Sequence, residues 1–299
     1  MRRLALGGWA LGAWLVLQTG QALSADVLFL ADREVAPLEA ALRDVLRARD
    51  RPESLRVVGS PASLIDFCGR RRTGVVVAWG EEAARAAIRA CPLPALIVGL
   101  TRRQVAPLLA GRRPEPVSAI YLEADPSLDL RLARTLLPNA RAVGVLVPAT
   151  APAWLAPLRA EARRLNLALE EIVADDDLGA VRALRPRLAG LDAVLLPPES
   201  DLASEWSLKP LLLMTVRQGV PVLGGASAWY VDAGVLAAAV ADEGRLSEQI
   251  ESLVAELARG RTPAPAYPVA VRVAVNPIVA QTLGVAAEAV ERARTLFSP

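Results

Sequence analysis

Short runs dominated by Val, Leu, Ile and Ala recur along the 299-residue chain, separated by longer stretches in which apolar positions return every three or four residues. The first set of runs is VLFLA (27–31), LRVVG (55–59), GVVVAW (74–79), ALIVGL (95–100) and SAIYL (118–122). A second set follows: AVGVLV (142–147), ALEEIV (168–173), DAVLLP (192–197), VPVLG (220–224) and GVLAAAVA (234–241). Runs this short and this apolar fit strands buried on both faces. Between them VAPLEAALRDVLRARD, EEAARAAIRAC, APLRAEARRLN and LSEQIESLVAELARG have the period of amphipathic helices. The alternation predicts an α/β fold with parallel sheets covered on both faces. It runs twice, with a break at LEADPS (122–127), which predicts two similar Rossmann-like lobes.

Near the end, VAVNPIVAQTLGV reads as a helix capped by Asn276, begun by Pro277 and stopped at Gly284. The proline-rich GRTPAPAYP (260–268) reads as a stiff connector.

The first residues change the picture of where the protein works. Arg2 and Arg3 precede an apolar stretch from Leu4 to Leu17, followed by small residues. That is the pattern of a secretory signal peptide over 1–25, with cleavage after Ala22 or Ala25. The stretch is shorter than the roughly 20 residues a spanning helix needs. About 275 residues remain after cleavage, near the size at which a single core splits in two. The expectation is a soluble periplasmic protein.

Charge then removes one class of partner. Without Arg2 and Arg3, the 34 basic residues fall to the same number as the 32 acidic ones, so nothing electrostatic favours nucleic acid. The chain has no histidine, which excludes Ser-His-Asp and Cys-His nucleophile systems and His-ligated metals. Cys68 and Cys91 are too few for a metal cluster. In an oxidising compartment they can pair, two buried free thiols being the other arrangement.

Open parallel sheets bind ligands beyond the carboxyl ends of their strands. In the first set that end carries Asp32, Glu34, Trp79, Gly80, Glu81 and Thr101; in the second it carries Thr150, Glu199, Ser200, Asp201, Ser227 and Trp229. Trp79, Trp154, Trp206 and Trp229 all follow strand ends, and Trp79 and Trp229 are the two expected to touch ligand. No phosphate loop or dinucleotide fingerprint follows a strand, and GASAW (225–229) lacks both the second glycine of a nucleophile elbow and a histidine to serve it.

DAVLLPPESDLAS, VPVLGG, GVLAAAVADEGRLSEQ and VAVNPIVAQTLGV, in that order, resemble the substrate-binding proteins of ABC transporters in the group that includes tryptophan- and other aromatic-amino-acid-binding members. VVVAWGEEAARAA and NARAVGVLVPATAPAWLAPLRAEARRLNL match its earlier segments. The resemblance implies a type I periplasmic-binding-protein fold with three crossing segments near 122–127, 242 and 260–264. Lobe 1 would then be 26–122 plus 242–260, and lobe 2 would be 123–241 plus 261–299.

It also implies a small organic ligand, aromatic or amino-acid-like, handed to an ABC permease by a monomer without cofactor, metal or catalysis. The expected ligand-binding residues are Asp32, Trp79, Gly80, Glu81, Thr101, Thr150, Glu199, Ser200, Ser227 and Trp229. Glu199-Ser200 stands where the family commonly has Asp-Asn, and Glu243-Gly244 where it often has Tyr-Tyr, so the ligand is not carried over. The alternatives are a module of the same fold serving a sensor or other envelope complex, and a carboxylate-based enzyme using Glu199 with Asp201 or Asp32.

Overall fold

The structure, a computed structural model, describes residues 26–297 apart from 33–34, 49–54, 71–72, 112–114 and 199–201. The expected signal peptide, Glu34, and Glu199, Ser200 and Asp201 lie outside the described residues.

The first lobe alternates β1 (Val27–Ala31), α1 (Ala36–Ala48), β2 (Leu55–Val58), α2 (Pro61–Arg70), β3 (Val75–Trp79), α3 (Glu81–Ala90), β4 (Ala95–Leu100), α4 (Arg102–Leu109) and β5 (Val117–Tyr121). Its sheet is all parallel in the order β2-β1-β3-β4-β5. Every residue of β3 is buried, as a central strand covered on both faces requires. The alanine face of α3, Ala83, Ala84 and Ala87, is fully buried and lets the helix lie close to the sheet.

The second lobe repeats the plan with α5 (Ser127–Leu136), β6 (Ala142–Pro148), α6 (Leu155–Arg164), β7 (Ala168–Ala174), α7 (Asp177–Leu184), β8 (Ala193–Leu196), α8 (Glu205–Arg217), β9 (Val222–Gly224), α9 (Ala228–Asp232) and β10 (Ala237–Ala241). Its sheet order is β11-β10-β9-β8-β6-β7, so β7-β6-β8-β9-β10 reproduces the first sheet. The additional strand, β11 (Val271–Val275), was not among the strand runs read from sequence. It lies antiparallel to β10, where parallel strands alone were expected. The chain returns from the first lobe and enters this sheet from the opposite end, so an edge position and reversed direction follow from the path.

Between β10 and β11 the chain visits the first lobe. Helix α10 (Leu246–Ala258) buries Leu246, Ile250, Val254 and Leu257 in one cluster with Leu38, Leu42 and Leu46 of α1 and with Val75 and Val77 of β3. Each such leucine contributes roughly 1.5–3 kcal/mol by leaving water, which anchors α10 to the first sheet. The chain ends in α11 (Pro277–Thr282) and α12 (Ala287–Arg294), where Asn276 Oδ1 accepts the Ile278 and Val279 N–H groups at 3.1 Å each.

Three connections join the lobes, and their backbones are tied to the neighbouring strands. Ala266 pairs with the end of β5, accepting the Tyr121 N–H at 2.9 Å and donating to Ala119 at 3.0 Å. Glu123 bridges to Val240, and the Asp242 N–H reaches Ala270 O at 3.0 Å.

Cys68, at the end of α2, is bonded to Cys91, the residue that ends α3, with Cα atoms 5.3 Å apart. Both are buried in the core on that face of the first sheet.

Candidate functional site

The order β2-β1-β3-β4-β5 reverses between β1 and β3, and a crevice opens at such a point beyond the strand ends. In the first lobe the protein fills that crevice itself. The Asp32 carboxylate accepts the Glu82 N–H at 2.8 Å and the Ala83 N–H at 2.6 Å, capping α3 from the neighbouring strand. Gly80 makes this approach possible: its φ is +99°, and a Cβ there would lie 2.4 Å from Asp32 Oδ2. Glu81 is exposed and pairs with Arg85 one turn along α3.

Trp79 is 4 % exposed and belongs to the core on the α10 side of the sheet. Its indole packs where a Cβ on Gly99 would sit, 2.7 Å from Cε2. The aromatic area expected at the ligand face is thus spent at this position on the core of the lobe.

The second lobe presents an open counterpart. A cavity of about 530 Å³ lies between the start of α4 in the first lobe and the loops after β6, β7 and β8 in the second. Arg102, Arg103 and Ala106 form one wall; Pro148 to Thr150, Pro152 to Trp154, Asp175 and Leu202 form the other. Thr150 is exposed here, while Trp154 is 3 % exposed and seals the base. Thr101 is next to this wall but is committed to α4: its side chain accepts the Gln104 N–H, and Gln104 Oε1 accepts the Thr101 N–H at 2.9 Å, a reciprocal cap.

Arg102 is held on several sides. Its Nη1 donates to the Tyr267 hydroxyl at 3.3 Å, and its guanidinium carbon lies 5.7 Å from the centre of the Tyr121 ring. Tyr121 and Tyr267 meet edge to face at 5.3 Å, and the Arg102 backbone N–H donates to buried Glu123 Oε1 at 2.9 Å. Burial pushes the Tyr267 phenol up to about 12, against the pull of the Arg102 hydrogen bond and charge, so it stays protonated. Burial opposes the Arg102 charge, but Tyr267, Tyr121 and Glu123 outweigh it and hold the guanidinium above its ordinary value.

Ser227 starts α9 without a side-chain cap bond, and Trp229 is 43 % exposed with its ring edge-on to Tyr230 at 5.0 Å. Neither lines the cavity. Among the expected residues, Thr150 lines it and Thr101 adjoins it; Asp32, Gly80 and Glu81 cluster at the start of α3. Arg102, Arg103 and Asp175 were not singled out from sequence, although the arginines directly follow Thr101 at a strand end.

Two other cavities lie elsewhere in the second lobe, one at the back of α8 and one at the opposite ends of the strands, beside Asp192 and Pro221. Neither involves the first lobe. Among the described residues no group of His, Cys, Asp and Glu could hold a metal, and no helix is long and apolar enough to cross a membrane.

No family model and no curated protein matches the sequence. Solved structures do. The ligand-free, open structure of a substrate-binding protein with adhesive properties from Clostridium difficile matches 88 % of this chain and 95 % of its own, with a TM-score of 0.65 at 16 % identity. A conserved domain protein from Vibrio cholerae matches 90 % and 98 %, with a TM-score of 0.56 at 20 % identity. An ABC domain in complex with L-Trp from Streptococcus pneumoniae matches 87 % and 96 %, with a TM-score of 0.52 at 17 % identity. The chain has the type I periplasmic-binding-protein fold.

Proposed function

We propose that this protein is an exported solute-binding protein, which captures a small organic ligand between its lobes and delivers it to an ABC importer. The observation that carries the reading is the cavity of about 530 Å³ built jointly by both lobes at the carboxyl ends of their strands. That size suits a metabolite or amino acid, and its walls move relative to each other when the lobes move. Binding energy would favour the closed arrangement, and the permease would read that arrangement.

Two further features support the reading. The Cys68–Cys91 bond fits an oxidising compartment, in keeping with the leader-like residues 1–25. Two proteins of the same fold are described as a substrate-binding protein and as an L-Trp complex, which supports capture as the use of this cavity. On this reading the ligand-contacting residues are Thr150 with Arg102, Arg103 and Trp154, and Glu199, Ser200, Ser227 and Trp229 are the further contacts expected from sequence.

The test is a thermal-shift screen of the mature protein against amino acids, aromatic acids and small metabolites. A ligand at ~100 times its dissociation constant should add roughly 2.7 kcal/mol of stability. Absence of any shift across the screen overturns the reading. Loss of uptake of the hit compound on deletion then assigns the protein to transport, and retained uptake separates it from the importer.

A further inference from the structure

Resting on that reading, we infer that the ligand carries an anionic group, a carboxylate or a phosphate, and that Arg102 receives it. Three observations converge on this residue. First, the charged residues lining the cavity are Arg102 and Arg103 on one wall and Asp175 on the other, so the first-lobe wall is a cationic pair. Second, Arg102 is half-buried and held in place before any ligand arrives. Tyr267 takes one of its N–H donors and the Tyr121 ring lies beside the guanidinium, while the two rings brace each other. A guanidinium has five donors, so four remain for a partner.

Third, among the described residues no carboxylate pairs with that guanidinium. Glu123, the acid whose charge acts on the guanidinium, accepts the backbone N–H instead. Its charge steadies the arginine from behind and leaves the fork of the side chain open. A planar guanidinium fixed in this way matches the two oxygens of a carboxylate or the edge of a phosphate.

The opposite wall contributes what such a ligand needs beyond its charge. Thr150 offers a hydroxyl, and Ala149 and Ala153 leave room for the bound group. Trp154 and Leu202, both buried, give the cavity an apolar floor. Closure on a neutral ligand would strip water from the Arg102 guanidinium without a ligand charge to replace it, a cost that grows as the cavity dries. An anion reverses the sign of that contribution. Arg102 also belongs to the crossing region through Tyr267 and Glu123, so a group that draws the guanidinium toward the second lobe acts where the lobes are joined.

The experiment screens the mature wild-type protein by thermal shift and calorimetry with matched pairs. L-tryptophan is set against L-tryptophanamide, benzoate against benzamide, and other amino and aromatic acids against their amides. Phosphate monoesters are set against their parent alcohols, and inorganic phosphate is tested alone. The expected result is stabilisation by charged members only. The carboxylate arm and the phosphate arm identify which anion is preferred, and affinity should fall as ionic strength rises.

Arg102→Gln should weaken binding of the hit by about 10- to 100-fold, the loss typical of one charge-assisted contact. Arg102→Lys, which keeps the charge, should lose less. Equal stabilisation by the amides or alcohols overturns the anion while leaving ligand capture intact. A hit that Arg102→Gln binds as tightly as the wild type overturns the role of Arg102. No shift with any compound overturns both readings. Should Arg102→Gln fail to fold, the wild-type comparison of acid with amide still decides.

Discussion

The carboxylate of Asp129 accepts the backbone N–H of Ala239 at 2.8 Å, joining the first turn of α5 to the middle of β10 across 110 positions of sequence. Asp129 is 7 % exposed, and a Cβ on Gly224 would lie 3.2 Å from its other oxygen. Burial pushes this carboxyl up to about 7 from an ordinary 3.8; the Ala239 hydrogen bond opposes the rise and Asp125 adds to it.

A raised carboxyl makes the folded state the stronger proton binder between the two values. Its contribution is therefore full below about pH 4 and is lost as pH rises through about 7. The whole difference corresponds to at most ~4 kcal/mol. Asp129→Asn keeps an oxygen for Ala239 and removes the titration. Urea melts from pH 4 to 8 should show wild-type stability falling through this range relative to the variant. Parallel curves would show that Asp129 does not titrate there.

Glu161 works in the opposite direction. Its oxygens accept from Arg131 Nε at 2.6 Å and from Arg164 Nε at 2.7 Å, linking α5 to α6. Hydrogen bonds from Arg164 and then Arg131 outweigh burial and hold it down at about 2. That stability is present above about pH 4.5 and lost as pH falls through about 2. Both guanidinium groups are about half exposed, so Glu161→Gln should cost only ~1 kcal/mol at pH 7. The cost should shrink in denaturation curves recorded near pH 3.

Cys68 and Cys91 close a loop with a sequence separation of 23. Chain-entropy reasoning gives about 3 kcal/mol for a loop of that size. The oxidised protein should show no free thiol in a denaturing thiol assay. Reduction, or the Cys68→Ala/Cys91→Ala double variant, should lower the unfolding free energy read from urea denaturation by that amount. Ligand-induced stabilisation should persist, since the bond lies on α2 and α3, away from the cavity.

Two tryptophans should respond differently to the same change. Trp79→Ala removes a core side chain that is 4 % exposed, and should cost ~3–5 kcal/mol. Trp229→Ala removes one that is 43 % exposed, and should leave the thermal midpoint nearly unchanged while weakening ligand. Melting curves with and without a hit compound separate the two. An unfolded Trp229→Ala protein would assign that ring to packing.

Fold and site were legible in the sequence to different depths. Apolar runs at 27–31 and 95–100 became β1 and β4 at those bounds, because a strand buried on both faces leaves a continuous hydrophobic run. VRVAV (271–275) lacks such a run: it alternates, is only partly buried or exposed, and lies at a sheet edge. Its antiparallel direction depends on the chain returning from α10, which composition does not encode. Thr150 followed from the rule that ligands gather at strand ends. Arg102 and Arg103 did not, because two charges at a helix start read as solvated surface until a second lobe is folded against them. Trp79 shows the reverse: a strand-end aromatic is drawn inward when the penultimate residue of the neighbouring strand, Gly99, makes room.

The bonds that tie Ala266 to Ala119 and Tyr121 of β5, and Asp242 to Ala270, hold the connecting segments to each other and to the end of a sheet strand. A ribbon linked in this way behaves like a leaf hinge. It can flex across its width by small backbone rotations at many residues without breaking a rung. Sliding one strand along another, as a screw motion of the lobes would require, breaks rungs together. A joint of this kind resists twist more than it resists bending.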